Sequence, residues 1–114
     1  MVKVTLYYDQ DDRVTGFEVE GHAGFAAYGE DIVCAAVSIL AQTAVMGLEH
    51  FLDPKPEVKV EKGFLSCRLP DLMPDIDFNR ADAILKAMAL GLESTRNQYS
   101  EHVKIVRRRC APCG

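Results

Sequence analysis

The chain has 114 residues, 48% hydrophobic and 26% charged, which is the composition of one ordinary globular domain. Its 13 basic and 17 acidic residues give a formal net charge of −4, whereas nucleic-acid-binding domains carry a basic excess to neutralise phosphates. The sequence has no run of 18 or more apolar residues, and its first residues lack the apolar block of a signal peptide. We therefore expect a cytoplasmic protein without a direct nucleic-acid or membrane partner.

The first part of the chain predicts a β-hairpin. Val2, Val4 and Leu6 alternate with polar or aromatic residues, as in a strand with one buried face. A polar turn at residues 9–12 leads into a second extended run over residues 13–22. The two runs are expected to pair as antiparallel neighbours joined by this turn.

A loop and a long helix are predicted next. Residues 23–30 are mostly small, include two glycines and show neither helical nor strand periodicity, which indicates a loop. Over residues 31–52 apolar residues recur at helical spacing. The apolar stripe consists of Val33, Ala36, Val37, Leu40, Ala44, Gly47, Leu48 and Phe51. Since Ile32, Ile39 and Met46 widen this apolar surface, we expect the helix to be buried within the domain or against a second subunit.

The second part of the chain predicts another hairpin, another helix and a last strand. Apolar and polar residues alternate on both sides of the turn at residues 62–63, and this alternation predicts the hairpin. A helical pattern follows over residues 80–99, with Asn79 as its N-cap. Its inner face consists of Ile84, Leu85, Met88, Leu92 and Thr95. Val103 and Ile105 mark a final short strand.

The resulting order, β-β-α-β-β-α-β, predicts an α+β protein: a two-layer sandwich with a mainly antiparallel sheet covered by two helices. Residues 1–109 are expected to form the single domain and residues 110–114 a tail. Cys110 and Cys113 in this tail resemble half of a zinc site, but no second ligand pair accompanies them. We favour a disordered tail, with a metal shared across a dimer as the alternative. We expect no cofactor and no metal, and we interpret Cys67, which alternates with apolar neighbours, as a core residue.

His22 and Cys34, on the two sides of the predicted loop, are the residues most suggestive of chemistry. Cys34 would lie in the first turn of its helix, where unpaired N–H groups and the helix dipole stabilise a thiolate and can bind an oxyanion. His22 would end the preceding strand at the same edge of the sheet and could accept and donate a proton. For each residue alone, a small core cysteine and a solvated or capping histidine are the alternatives.

Two polar residues accompany Cys34 on the predicted helix. Asp31, Cys34 and Ser38 stand at i, i+3 and i+7 and therefore share one helical face. Asp31 could cap the helix or orient His22, and Ser38 could hydrogen-bond the sulfur or a substrate carbonyl.

The predicted loop offers apolar surface and backbone freedom beside these residues. Phe25 and Tyr28 supply aromatic rings suited to an apolar peptide, and Gly24 and Gly29 would let the loop open and close over it. An ordinary mobile connector is the alternative interpretation.

Two runs of this sequence, Gly21-His22-Ala23 and YGEDIVCAAVS over residues 28–38, resemble the signature of the ribosomal-processing cysteine protease family Prp. The resemblance implies a small α/β endopeptidase that works as a homodimer and removes the N-terminal extension of a large-subunit ribosomal protein, cutting next to phenylalanine. It also implies that His22 is the base and Cys34 the nucleophile, and that Asp31 and Ser38 occupy supporting positions. The ending at residues 110–114 is not part of the family pattern.

Two other classes of function remain open at this point. A non-catalytic ribosome-associated adaptor would use loop 23–30 to hold a peptide. A thiol-dependent redox or acyl-carrier protein would use Cys34 without hydrolysing a peptide bond. Stoichiometric alkylation of Cys34 at neutral pH would favour catalysis, whereas an inert thiol would favour the adaptor.

Overall fold

The computed structural model of the chain describes residues 1–21 and 28–109, with side chains in the first helix described from residue 32 onward. The elements follow the predicted order β-β-α-β-β-α-β. The strands are β1 Val2–Tyr8, β2 Val14–Glu20, β3 Glu57–Glu61, β4 Phe64–Arg68 and β5 Val103–Arg109. The helices are α1 Tyr28–Phe51 and α2 Asp75–Gln98.

The five strands form one sheet in the order β3-β4-β2-β1-β5. Both hairpins and the pairing of β2 with β4 are antiparallel, while β5 joins β1 in parallel. The predicted α+β class and the mainly antiparallel sheet with two helices are thus confirmed.

One face of the sheet packs against the two helices and forms the core. Strand residues pointing to this face include Val4 and Leu6 of β1 and Phe17 of β2, all fully buried. The helices contribute Val33, Val37, Ala41, Ala44 and Leu48 from α1, and Ala81, Leu85, Met88, Ala89 and Leu92 from α2. Removing this apolar surface from water is the main term that holds the two layers together. Cys67 belongs to the same core, as predicted.

Helix α1 begins at Tyr28, earlier than the sequence predicted. Tyr28 and Gly29 therefore belong to the helix and not to the loop, and Cys34 lies in the second turn instead of the first. The predicted apolar stripe is mostly correct, but Phe51, the last residue of the helix, is exposed, and the following Leu52 is buried in its place. Ile39, like Ile32 and Met46, is also exposed in the single chain.

Helix α2 also begins earlier than predicted, at Asp75, and the expectation that Asn79 caps it is wrong. Pro74 occupies the N-cap position, and its carbonyl accepts hydrogen bonds from the N–H groups of Asp77 and Phe78. Residues 75–79 have low intrinsic helix propensity, which hid this turn in the sequence. Asp75 and Asp77 nevertheless suit a first turn, because their negative charges interact favourably with the positive end of the helix dipole.

The segment Ile32–Phe51 is long and apolar enough to cross a membrane, judged by length and composition alone, although polar residues interrupt it. Core helices of other folds share this property. In this fold the segment packs one face on the sheet and on α2, where Val33 and Leu48 are fully buried. On the side away from this core, Ile32, Ile39 and Met46 are exposed.

Candidate functional site

A cavity of about 210 Å³ lies between α1 and the hairpin of β3 and β4. Cys34, Ser38 and Gln42 line it from the helix, and Val60 and Leu65 line it from the hairpin. Sites for drug-sized ligands occupy roughly 300–1,000 Å³. The cavity is therefore of a size to take one apolar side chain rather than a whole ligand of that kind.

Cys34 is half-buried on the helical wall of this cavity, and Ser38 stands one turn further along the same wall. This placement confirms the predicted common face for the two residues. Because the helix begins six residues before Cys34, the backbone N–H of Cys34 is an internal one that bonds to the fourth preceding carbonyl. The effect of the helix dipole falls off within the first turn. The predicted activation of the thiol by the helix start is consequently weaker than the sequence suggested.

Gln42 is a residue at the cavity that the sequence analysis missed. Its side-chain Nε2 donates a hydrogen bond to Ser38 Oγ, with 2.8 Å between the two atoms. A hydroxyl that accepts from one neighbour can still donate its own proton to another group. Ser38 can thus present its O–H to an acceptor in the cavity. The spacing of four residues between Ser38 and Gln42 is the sequence signal that could have identified this pair.

His22, Gly24 and Phe25 lie outside the described residues, as does the side chain of Asp31. Strand β2 ends at Glu20, so the extended run predicted over residues 13–22 is too long at its end. Gly21 follows with φ of 89°, a left-handed conformation that favours glycine.

Gly21 lies at the end of the sheet that holds the cavity. Its N–H donates to the carbonyl of Gly63, the turn residue that directly precedes the cavity-lining Phe64, with 3.2 Å between the atoms. Gly21 thus lies at the same end of the sheet as the cavity that Cys34 lines.

Cys67 provides an internal reference for the chemistry of a thiol in this fold. It is 2% exposed, and burial, with a smaller contribution from the negative charge of Glu49, raises the pKa of its thiol to about 12. A thiolate is the nucleophilic form of cysteine, and Cys67 stays protonated at neutral pH. This residue is structural.

A larger concavity of about 660 Å³ lies elsewhere, around Tyr7, Arg13 and Arg68, and does not include Cys34. Several of its polar groups are engaged with one another. Tyr7 donates to Glu18 at 2.8 Å, Arg13 binds Asp9 at 2.9 Å, and Arg68 binds Asp71 at 3.2 Å. Among the side chains of residues 1–21 and 32–109, no group of three or more His, Cys, Asp or Glu is arranged to hold a metal ion. The smaller cavity at Cys34 is the better candidate for covalent chemistry.

The chain is similar to known cysteine proteases. The family model for cysteine protease Prp matches residues 1–104. The chain is 27% identical to the ribosomal processing cysteine protease Prp of Bacillus subtilis, over 92% of this chain and 96% of that protein.

Two crystal structures of the Staphylococcus aureus ribosomal processing protease Prp share the fold, and each alignment covers 94% of this chain and 99% of the other. The complex with a substrate peptide aligns with a TM-score of 0.83 at 24% identity. The complex with a covalently linked product peptide aligns with a TM-score of 0.79 at 26% identity. The chain belongs to the Prp family of cysteine proteases.

Proposed function

We propose that this cysteine protease removes the N-terminal extension of a large-subunit ribosomal protein in the cytoplasm, with Cys34 as nucleophile and His22 as base. The observation that carries the proposal is the half-buried thiol of Cys34 on the wall of an apolar cavity of side-chain size. The names of the relatives support the ribosomal substrate, since the proteins of Bacillus subtilis and Staphylococcus aureus are called ribosomal processing proteases.

The proposed reaction proceeds through an acyl-enzyme. The Cys34 thiolate attacks the scissile carbonyl carbon, the C–N bond breaks, and His22 protonates the leaving amine. Neutral His22 then takes a proton from water, which hydrolyses the thioester and releases Cys34. The oxyanion would be held by unpaired N–H groups of the first turn of α1, residues 28–31, or by the hydroxyl of Ser38. The cavity would hold an apolar substrate side chain beside the cleaved bond.

We also propose that the enzyme is a homodimer in which α1 faces its counterpart. Ile32, Ile39 and Met46 follow each other at seven-residue intervals and are between 42% and 59% exposed. Apolar residues repeated at this spacing form one ridge along a helix, as at helix–helix interfaces. Contact with a second copy would remove this ridge from water.

The dimer is tested by a charge placed on the ridge. We expect Ile39→Glu to convert the dimer into a folded monomer in sedimentation experiments. Ile76→Glu is the matched control, because Ile76 is equally exposed but lies in the first turn of α2. If both variants sediment as the wild type does, α1 is not the interface.

The proteolytic function is tested with the extended ribosomal protein itself. The purified chain is incubated with that protein, and intact-mass spectrometry follows the products. We expect one truncated species and the matching N-terminal peptide, and neither product with Cys34→Ala. An unprocessed substrate, or processing by the folded Cys34→Ala variant, would contradict the proposal.

A further inference from the structure

One edge of the sheet runs beside the cavity that holds Cys34. Strand β3 is the terminal strand at this edge. Val60 of β3 lines the cavity and is nevertheless 74% exposed. The wall that β3 contributes to the cavity is therefore open to solvent along the edge of the sheet.

The outward backbone groups of β3 belong to Val58 and Val60. Glu61 and Phe64 flank a two-residue turn, and residues in that position exchange both of their backbone hydrogen bonds. Along an antiparallel ladder such pairs alternate with pairs that direct their N–H and C=O groups away from the partner strand. Val58 and Val60 consequently offer these groups to a further strand. Their side chains point to the helix side of the sheet, the same side as Cys67 and Leu65, with which they pair.

We propose that the substrate peptide binds as an added strand along β3, with an apolar side chain inserted into the cavity beside Cys34. This inference rests on the proposed function, since the occupant is the peptide to be cleaved. Side chains of a strand alternate between the two faces, so a peptide residue opposite Val60 points into the cavity and its neighbours point away from it. Backbone pairing supplies affinity for any sequence, and the cavity supplies the preference for one apolar residue.

The other edge of the sheet suits this peptide less well. Strand β5 forms that edge, and its Arg107 and Arg109 are already paired with Glu93 and Asp12. Four strand spacings separate β5 from β3, which amounts to roughly 19 Å. A peptide on β5 would therefore lie at the edge of the sheet opposite to the cavity.

A backbone N-methyl scan of the substrate peptide tests the inference. Each peptide of the series carries one N-methyl group at a different amide, and binding to the folded Cys34→Ala variant is measured by fluorescence anisotropy. We expect methylation to weaken binding about fivefold or more at every second amide, because each of these amides loses a hydrogen bond to β3. The intervening amides should stay within about twofold of the unmethylated peptide.

A proline in the edge strand gives the complementary test from the side of the protein. Val58→Pro removes one outward N–H, a change that edge strands tolerate. The variant also loses the packing of the Val58 side chain on the core, so KM is measured at a temperature where circular dichroism shows it folded. We expect KM for the peptide to rise several-fold under these conditions, whereas Lys59→Ala, the control on the opposite face of β3, should leave KM unchanged.

The outcomes of the scan are distinct. The added strand would be overturned if N-methylation weakened binding equally at successive amides, or if the unmethylated peptide did not bind. If the loss of affinity alternates along the peptide but the wild type cleaves no substrate, the added strand is supported and the proposed function alone is overturned.

Discussion

The surroundings of Cys34 and Cys67 differ, although both residues point into the space between the sheet and the helices. Cys67 is enclosed by the core, and burial raises the pKa of its thiol to about 12. Cys34 is half-buried on a helix wall and borders a cavity with Ser38 and Gln42. Two cysteines in one fold thus differ in access and in polar neighbours, which are properties that control the reactivity of a thiol.

The largest expected effect is the loss of peptide cleavage in Cys34→Ala. Removing a nucleophile should lower kcat/KM by more than about 10³-fold, because a covalent route has no substitute for the sulfur. The measurement is the rate of product formation by mass spectrometry, with circular dichroism to show that the fold is retained.

The matched control for this variant is Cys67→Ala, which removes the same atom from the core. It should keep kcat/KM within about twofold of the wild type at temperatures where it is folded. Loss of cleavage in a well-folded Cys67→Ala, with activity retained in Cys34→Ala, would reverse the roles of the two cysteines.

His22→Ala should have the next largest effect, both on turnover and on the reactivity of Cys34. Since Cys34 lies beyond the first turn of α1, we expect any activation of its thiol to come mainly from His22 and less from the helix dipole. Alkylation of the wild type should report an apparent thiol pKa below the ordinary value of about 8.5, and the variant should shift it upward. Identical alkylation profiles in the two proteins would separate His22 from Cys34.

Cys67→Ala should lower the free energy of unfolding by about 1–2 kcal/mol, because it leaves a small void in the core. The pH dependence sharpens this prediction. The folded state raises the pKa of Cys67 to about 12, so the unfolded chain releases this proton first, near pH 8.5. Stability should therefore fall as the pH rises from about 8.5 towards 12, and Cys67→Ala should lack this component. Urea titrations at several pH values measure both effects, and parallel pH profiles would contradict the assignment.

The smallest expected effect belongs to Gln42→Leu. Loss of the hydrogen bond to Ser38 should lower kcat a few-fold and leave the melting temperature nearly unchanged, since the pair is exposed. Gln98→Leu, at the exposed end of α2, is the matched control. Equal kinetics for the two variants would show that Gln42 does not position Ser38.

The element order and the core could be predicted because alternation and helical spacing are strong signals in β1, β2 and α1. The first residues of the two helices could not be predicted in this way. Residues 28–30 and 75–79 are helical without strong apolar periodicity, so neighbouring structure and not local preference decides their conformation.

The face shared by Cys34 and Ser38 followed from spacing alone. The cavity did not, because its second wall comes from Val60 and Phe64, far away in the sequence. The partnership of Gln42 with Ser38 is a local feature that a search for spacings of four would have found.

The parallel pairing of β1 with β5 has a consequence for biosynthesis. Strand β1 is made before the other four strands, yet its neighbour β5 is made after them, and Val2 donates to the carbonyl of His102 only once β5 has been made. Until then, the nascent chain exposes a strand edge that carries Val4 and Leu6, a template for pairing with neighbouring chains. Shortened chains that stop before Val103 should therefore aggregate during expression, whereas fusions placed after Arg109 leave the pairing intact.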